Sequence, residues 1–186
     1  MDKKTPSKEA VKKAPAKAVA APAKKVKPVD GGSIILVRIR GKRTTPWRTE
    51  QTLLLMNLSR KYHCAILPND AISRGMVEHA KDFITYGPAN AKAVEALFTK
   101  RGRTADGKAL SDDYLKASNS GFGSIKELSA AVLAGTTRLS RVKAVKAIFR
   151  LNPPRKGFGS IKGVFPNGAL GVRNETEMEA LIASMI

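Results

Sequence analysis

The sequence predicts an α+β protein, in which a β-α-β-α-β core packs its helices on one face of a small antiparallel sheet. Three observations predict this fold. Strand-like segments alternate with helically spaced ones within 34–87, helix caps and glycines recur over the residues that follow, and a Lys/Ala/Pro-rich arm without aromatic residues comes first. We divide the chain into a disordered basic arm at 1–32, the core at 33–89, and a helical, loop-rich extension at 90–186.

Three strands are predicted from short apolar runs rich in β-branched residues, at 34–40, 63–67 and 83–86. The helix between the first two begins at Pro46, after the N-cap residue Thr45, and reaches about Lys61. Asp70 or Ser73 caps the second helix. The residues expected on the inner faces of the two helices are Leu54, Leu55, Leu58 and Tyr62, then Ile72, Met76, Ala80 and Phe83.

The extension is predicted mainly as short capped helices. The residues expected to cap them are Asn90, Ser111, Ser124 and Asn174. The last two are followed three residues later by a glutamate, which is the spacing of a capping box. The apolar spacing over 142–149 predicts a further helix, and the Gly/Pro-rich stretch 152–173 predicts a long loop.

The charge balance indicates a polyanionic partner. The chain has 34 Lys plus Arg against 15 Asp plus Glu, a net charge of +19, which points to RNA or DNA. No apolar run approaches the roughly 18 residues of a membrane helix, and no signal-peptide core follows Met1. The single cysteine, Cys64, excludes an internal disulfide and a multi-thiolate zinc site. We therefore expect a cytoplasmic protein that contacts no membrane.

The residue pattern does not predict an enzyme. His63 and Cys64 are neighbours in a strand and point to opposite faces, so they cannot form a nucleophile–base pair. His79 stands alone, and no metal-ligand spacing is present. The glycine-rich stretch 157–163 lacks the spacing of a nucleotide-binding loop. We predict no catalytic residue, no metal and no cofactor.

The arm at 1–32 contains nine lysines and three acids, with prolines that prevent a long helix. It is either a solubilising tail or an electrostatic arm that becomes ordered along phosphates. The positive charge of the rest of the chain favours the second interpretation.

Cations are segregated into stretches without acids. The first stretch, between Asp30 and Glu50, contains Arg38, Arg40, Lys42, Arg43, Trp47 and Arg48. The second, between Glu127 and Glu175, includes Arg138, Arg141, Arg155, Lys156 and Lys162. A third, smaller cluster contains Lys100, Arg101 and Arg103. Like charges without carboxylates repel one another, so a bound polyanion would stabilise these surfaces. The alternatives are a solvated charged edge for the arginines and a core or capping role for Trp47, instead of stacking on a base.

The hexapeptide Gly-Phe-Gly-Ser-Ile-Lys occurs twice, at 121–126 and 157–162. It indicates either an internal duplication or two unrelated glycine-rich turns. The flanking residues do not match, which favours unrelated turns.

The segment from Asn69 to Val77 resembles large-subunit ribosomal protein family thirty, the universal L-thirty family whose eukaryotic members are numbered seven. The opening strand and the helix at 49–58 resemble it too. The features that resemble its long archaeal and eukaryotic form are Lys100-Arg101-Gly102, Pro153-Pro154-Arg155 and the terminal helix. The resemblance implies contacts with large-subunit (23S-type) rRNA and neighbouring large-subunit proteins, a position near 5S rRNA, and an RNA-binding role for Arg74. We also expect Gly75→Val to harm folding, through a close neighbour of the second helix.

Together these observations predict a non-catalytic rRNA-binding constituent of the large ribosomal subunit. The alternative is a general DNA-binding or chromatin-associated basic protein. No helix-turn-helix or zinc-finger pattern supports that alternative.

Overall fold

The computed structural model describes residues 32–118 and 121–186, so the arm predicted at 1–32 lies outside the described residues except for Gly32. The strands are β1 (Ser33–Arg38), β2 (His63–Pro68), β3 (Ile84–Pro88), β4 (Phe149–Arg150), β5 (Ser160–Val164) and β6 (Gly168–Val172). The helices are α1 (Trp47–Leu55), α2 (Ala71–Ala80), α3 (Ala91–Arg101), α4 (Asp112–Ala117), α5 (Ile125–Leu133) and α6 (Glu175–Met185). Within this part of the chain, none of the helices has the length and apolar character needed to cross a membrane.

The predicted β1-α1-β2-α2-β3 core is confirmed. Strand β1 lies between β2 and β3 and runs antiparallel to both, with Ile35 opposite Ile66 on one side and Gly87 on the other. Helices α1 and α2 pack together on one face, where Leu53 and Val77 share a buried cluster with strand residues such as Leu36 and Ile84.

The opposite face of the sheet is covered by the extension. Ile35 and Cys64 point into a second buried cluster with Phe98 of α3 and side chains of α5 and α6. Phe98 and Phe149 meet edge to face, with their ring centroids 5.2 Å apart. A sheet buried on both faces accounts for the continuous apolar runs in β1 and β2, because neither face needs polar residues.

The extension also contributes strands that its sequence did not predict. The full sheet has six strands in the order β4-β2-β1-β3-β6-β5, and β6 runs parallel to β3. Part of the stretch expected as a loop over 152–173 forms β5 and β6. The helix predicted over 142–149 is absent, because Phe149 instead pairs with Cys64 at the edge of β2. The buried side chains of that segment fill the core from an irregular backbone, and apolar spacing alone does not distinguish this from a helix.

The predicted helix caps of the extension are confirmed. The side chains of Asn90, Ser111 and Ser124 each accept a hydrogen bond from a backbone N–H of the first turn, and Asn174 forms a reciprocal capping box with Glu177. These bonds satisfy donors that a helix cannot pair internally.

The inner faces predicted for α1 and α2 are partly wrong. Leu54 and Leu55 are 43% and 75% exposed, and Ile72 is 70% exposed. Helix α1 ends at Leu55, and its buried positions include Glu50, which pairs with Arg38. A buried charge pair on the inner face shifts the helix away from the orientation that apolar spacing predicts.

The reason given for expecting Gly75→Val to harm folding, a close neighbour of the second helix, is also wrong. A Cβ atom placed there meets nothing within 4 Å, so no close neighbour requires glycine. At Gly87 a Cβ would lie 2.7 Å from the carbonyl oxygen of Arg173, because β3 and β6 approach closely there.

The two copies of the hexapeptide begin alike and end differently. Gly121 and Gly157 both have positive φ, at 79° and 70°. Ser124 then caps helix α5, whereas Ser160 begins strand β5. This divergence supports the interpretation as two unrelated turns.

Candidate nucleic-acid interface

The C-terminal end of β1 and the N-terminal end of β2 lie together and collect exposed cations. Arg150 pairs with His63, the first residue of β2. A Cβ atom placed on Gly41 would lie 2.6 Å from Cε of Lys61, so the lysine stem packs against the chain that leaves β1. Lys42 and Arg60 line the same open depression. These cations come together because β1 and β2 pair antiparallel, which places the C-terminal end of β1 beside the N-terminal end of β2.

The loop after β4 packs against Tyr62, just before β2, and therefore lies beside the same end of the sheet. The rings of Tyr62 and Phe158 stack with centroids 6.1 Å apart, and the backbone N–H of Leu151 donates to the carbonyl oxygen of Tyr62 at 3.0 Å. Phe158 also packs against Ile39 and Leu170. These contacts bring the two long acid-free stretches of the sequence to one surface. We call it the basic end, and define it as Arg40, Lys42, Arg43, Trp47, Arg48, Arg60, Lys61, Arg150, Arg155 and Lys156.

Arg38 does not belong to this surface, which corrects its prediction as an RNA contact. Its side chain is 0% exposed, and Nη2 lies 2.8 Å from Oε2 of Glu50. The guanidinium also donates to the carbonyl oxygens of Leu58, at 2.7 Å, and Arg40, at 2.9 Å. All sides of the group are therefore occupied by protein, and it ties α1 to β1.

Trp47 is 74% exposed, which rules out the core alternative for this residue. It begins α1, and Arg48 beside it is exposed as well. The bond from Arg38 to Glu50 fixes the first turn of α1 on the sheet, and the indole stands exposed at the start of that turn. An exposed indole among cations can stack on an unpaired base.

Sequence reasoning missed Arg60 and Lys61, and did not select Arg150. A usable signal was present, because the Arg60-Lys61 pair directly precedes β2 and therefore lies where β1 ends. The field of this cluster acts on His63: burial, followed by Arg150, Arg60 and Arg38, lowers the pKa of its imidazole below 6.5. The cations around it disfavour a further positive charge.

The third predicted cluster, Lys100, Arg101 and Arg103, lies at the C-terminus of α3. Helix α3 packs against β4 through Phe98 and Phe149, so this cluster adjoins the basic end. Lys100 and Arg103 are exposed there. Arg101 is half-buried and donates from Nη2 to the carbonyl oxygen of Ile186 at 2.6 Å, so it holds the end of α6. Cations at this position also interact favourably with the helix C-terminus.

Four predicted residues lie elsewhere. Arg74 donates from Nε to Oδ1 of Asn69 at 2.8 Å, at the opposite end of the sheet. Arg138 pairs with Asp70 at 2.7 Å in the same region. Lys162 is exposed on β5, the other edge of the sheet. Arg141 is exposed in the 3-10 turn Leu139–Arg141, where the hydroxyl of Ser140 accepts a hydrogen bond from Nδ2 of Asn57, after α1, at 3.4 Å.

Similarity to known proteins supplies the family. No protein-family model matches the chain. A protein of Archaeoglobus fulgidus named "Large ribosomal subunit protein uL30" is 36% identical over 150 residues, which cover 81% of this chain and 97% of the relative. The chain belongs to the uL30 family of large ribosomal subunit proteins. A uL30 of Staphylothermus marinus is 38% identical over 152 residues, covering 78% of this chain and 94% of its own.

Charge in this uL30 chain is distributed unevenly between the two ends of the sheet. The opposite end carries Asp70 and the acidic first turn of α6, with Glu175 and Glu177. At the basic end, Glu50 is buried and paired with Arg38, and the exposed Asp82 adjoins Phe83, over whose ring Arg40 lies. The relatives confirm the family resemblance that the sequence predicted, and the structure adds that residues from the two long acid-free stretches share one surface of this uL30 chain.

Proposed function

We propose that this uL30 protein is a non-catalytic structural constituent of the large ribosomal subunit that binds rRNA through the basic end. The observation that carries the proposal is the convergence of two sequence-distant acid-free stretches on one surface. The family membership supports a role in the large subunit and RNA as the ligand, and the surface supports a polyanionic ligand.

The chemistry of the basic end favours phosphate backbone over base edges. Guanidinium and ammonium groups outnumber the single exposed aromatic residue, Trp47. Phosphate contacts fix orientation without reading sequence, whereas an unpaired base stacked on an indole adds affinity with little base preference.

Further contacts are proposed from the charge of the chain and from the resemblance. The lysines of the arm that precede residue 25 would neutralise additional phosphates, and Lys100 and Arg103 would extend the basic end. Large-subunit (23S-type) rRNA is the main proposed partner, with 5S rRNA or its surroundings and neighbouring large-subunit proteins as further ones.

Sucrose-gradient sedimentation of a gentle lysate tests the cellular role. We expect the chain to co-migrate with the large subunit in stoichiometric amount and to leave that position after ribonuclease treatment. Migration with chromatin, or as a free small protein, would overturn the proposal and favour the DNA-binding alternative.

Salt-dependent binding to purified large-subunit rRNA tests the surface. If about 6–10 phosphates are neutralised, raising salt from 50 to 200 mM weakens binding by about 10³–10⁵-fold. The variant Lys42→Gln/Arg43→Gln/Arg150→Gln removes three exposed cations of the basic end and should lower the slope of log K against log salt by roughly 2–3.

A matched control removes the same charge elsewhere. Lys92, Lys116 and Lys126 are exposed on α3, α4 and α5, and their triple replacement by Gln changes net charge equally. We expect a much smaller loss of affinity from this control. Equal losses would show that net charge alone drives binding, and preferred binding to duplex DNA in competition would show that RNA is not the ligand.

A further inference from the structure

A second feature of the fold lies away from the basic end: a cavity of about 630 Å³ at the opposite end of the sheet. Its walls are largely apolar and include Ile34, Val77, Tyr86 and Val172. Burial raises the pKa of the Tyr86 hydroxyl, in agreement with an apolar wall. The RNA-binding surface proposed above uses none of these residues.

Charged side chains also line the cavity. They are Arg74 on one side and the carboxylates of Glu78 and Glu175. Glu78 accepts a hydrogen bond from Lys81 at 2.6 Å, but both side chains of this pair are more than half exposed. An exposed pair of this kind contributes little and exchanges readily with another cation. The cavity therefore suits an extended, apolar segment that carries cations.

The described chain begins at the cavity itself. Gly32 lines it, with φ of 100° and its carbonyl oxygen accepting from the backbone N–H of Asn69 at 3.0 Å. The hydroxyl of Ser33 donates to the carbonyl oxygen of Val132. These bonds fix Gly32 and Ser33 beside the cavity, so a segment that enters the cavity from Gly32 needs no long connection.

The residues just before Gly32 match the cavity chemically. They read Lys24-Lys25-Val26-Lys27-Pro28-Val29-Asp30-Gly31. Val26, Pro28 and Val29 offer apolar surface, the lysines complement Glu78 and Glu175, and Asp30 complements Arg74. Four extended residues span roughly 13 Å, which is enough to cross a cavity of this size. A proline in the segment restricts the free chain and lowers the entropy lost on docking.

We propose that residues 25–31 of this chain fold back into the cavity, with Val26 and Pro28 against its apolar wall and the neighbouring lysines beside Glu78 and Glu175. Tethering at Gly32 holds the segment at an effective concentration in the millimolar range, so weak contacts suffice. The part of the arm before residue 25 stays available for other partners.

Paramagnetic NMR on the full-length protein tests the docking without RNA, so its failure leaves the proposed RNA-binding role untouched. A nitroxide is attached at Lys24→Cys, or at Ala10→Cys as the distal control. Native Cys64 is fully buried, and burial raises the pKa of its thiol, so it does not compete for the label. We expect methyl signals of Val77 and Val172 to lose most of their intensity with the label at 24 and to remain with the label at 10.

Two variants separate docking from mere tethering. Val26→Ser/Pro28→Ser leaves the folded body unchanged, and Glu78→Gln/Glu175→Gln removes the carboxylates. Docking predicts that each variant restores most of the lost intensity, with unchanged backbone spectra elsewhere. Broadening that neither variant relieves would reflect proximity alone and overturn the proposal. Broadening that disappears on dilution would assign the cavity to a second copy and overturn it as well.

Discussion

Replacing Arg38 with Met tests whether this residue acts inside the fold or on RNA. The guanidinium is 0% exposed and is held by both carboxylate oxygens of Glu50, at 2.8 and 3.3 Å, and by two backbone carbonyls. Removing one partner of a buried ion pair leaves the other charge uncompensated and costs about 3–5 kcal/mol. For a domain of this size we expect the melting temperature to fall by about 6–20 °C.

Urea unfolding followed by circular dichroism measures the loss, and rRNA binding is measured where the variant remains folded. We expect the free energy of unfolding to fall by the stated amount, and the salt slope of RNA binding to stay unchanged. Arg38→Met/Glu50→Leu is the matched control, because removing both charges should recover much of the lost stability. A variant of normal stability with a smaller salt slope would refute the buried assignment and make Arg38 a phosphate contact.

The remaining predictions concern two glycines, one histidine and the single tryptophan. Gly75→Ala should stabilise the protein by about 0.5–1 kcal/mol, because helix α2 has open space there and alanine is the better helix former. Gly87→Ala should destabilise the protein by about 1–3 kcal/mol, since the new Cβ would force β3 and β6 apart. Equal urea midpoints for Gly75→Ala and Gly87→Ala would contradict the close approach of Gly87 to Arg173. The pKa of His63 is lowered from 6.5, so below that pH the unfolded chain takes up a proton that the folded chain resists, and stability should fall. His63→Gln should reduce this acid-dependent loss in urea titrations on either side of pH 6.5, and an unchanged loss would assign it to other groups. Trp47→Ala should weaken rRNA binding by about 1–3 kcal/mol without affecting stability. Because the chain has one Trp, fluorescence quenching on RNA addition reports the stacking directly, and the absence of quenching would exclude it.

Local structure was largely predictable from local chemistry. Helix caps such as Ser124 and Asn174 were found because an N-cap and a glutamate three residues later satisfy nearby backbone donors, which involves only neighbouring residues. The three core strands were found because their apolar, β-branched runs are short and bounded by turn residues. Where the spacing lacked such boundaries, over 142–149, the prediction of a helix was wrong.

The placement of the site was less predictable. Arg38 and Arg40 are the same residue type, two positions apart in one predicted strand, so the sequence does not distinguish them. In the structure, Arg38 is buried against Glu50, whereas Arg40 lies over the ring of Phe83. Nothing in the local pattern indicates that Glu50 turns inward. Likewise, Arg74 was assigned to RNA by resemblance, whereas the structure places it at the cavity away from the basic end.

The sequence by itself determined the family and the order of the core elements, and it predicted a polyanionic partner, because net charge, motif and hydrophobic spacing are properties of the chain read along its length. Only the tertiary structure decided which cations share a surface. Arg60, Arg150 and Lys156 come together because β1, β2 and β4 pair antiparallel and because Phe158 stacks on Tyr62. Those contacts join residues far apart in the chain, and their free energy depends on shape and burial that no local pattern records.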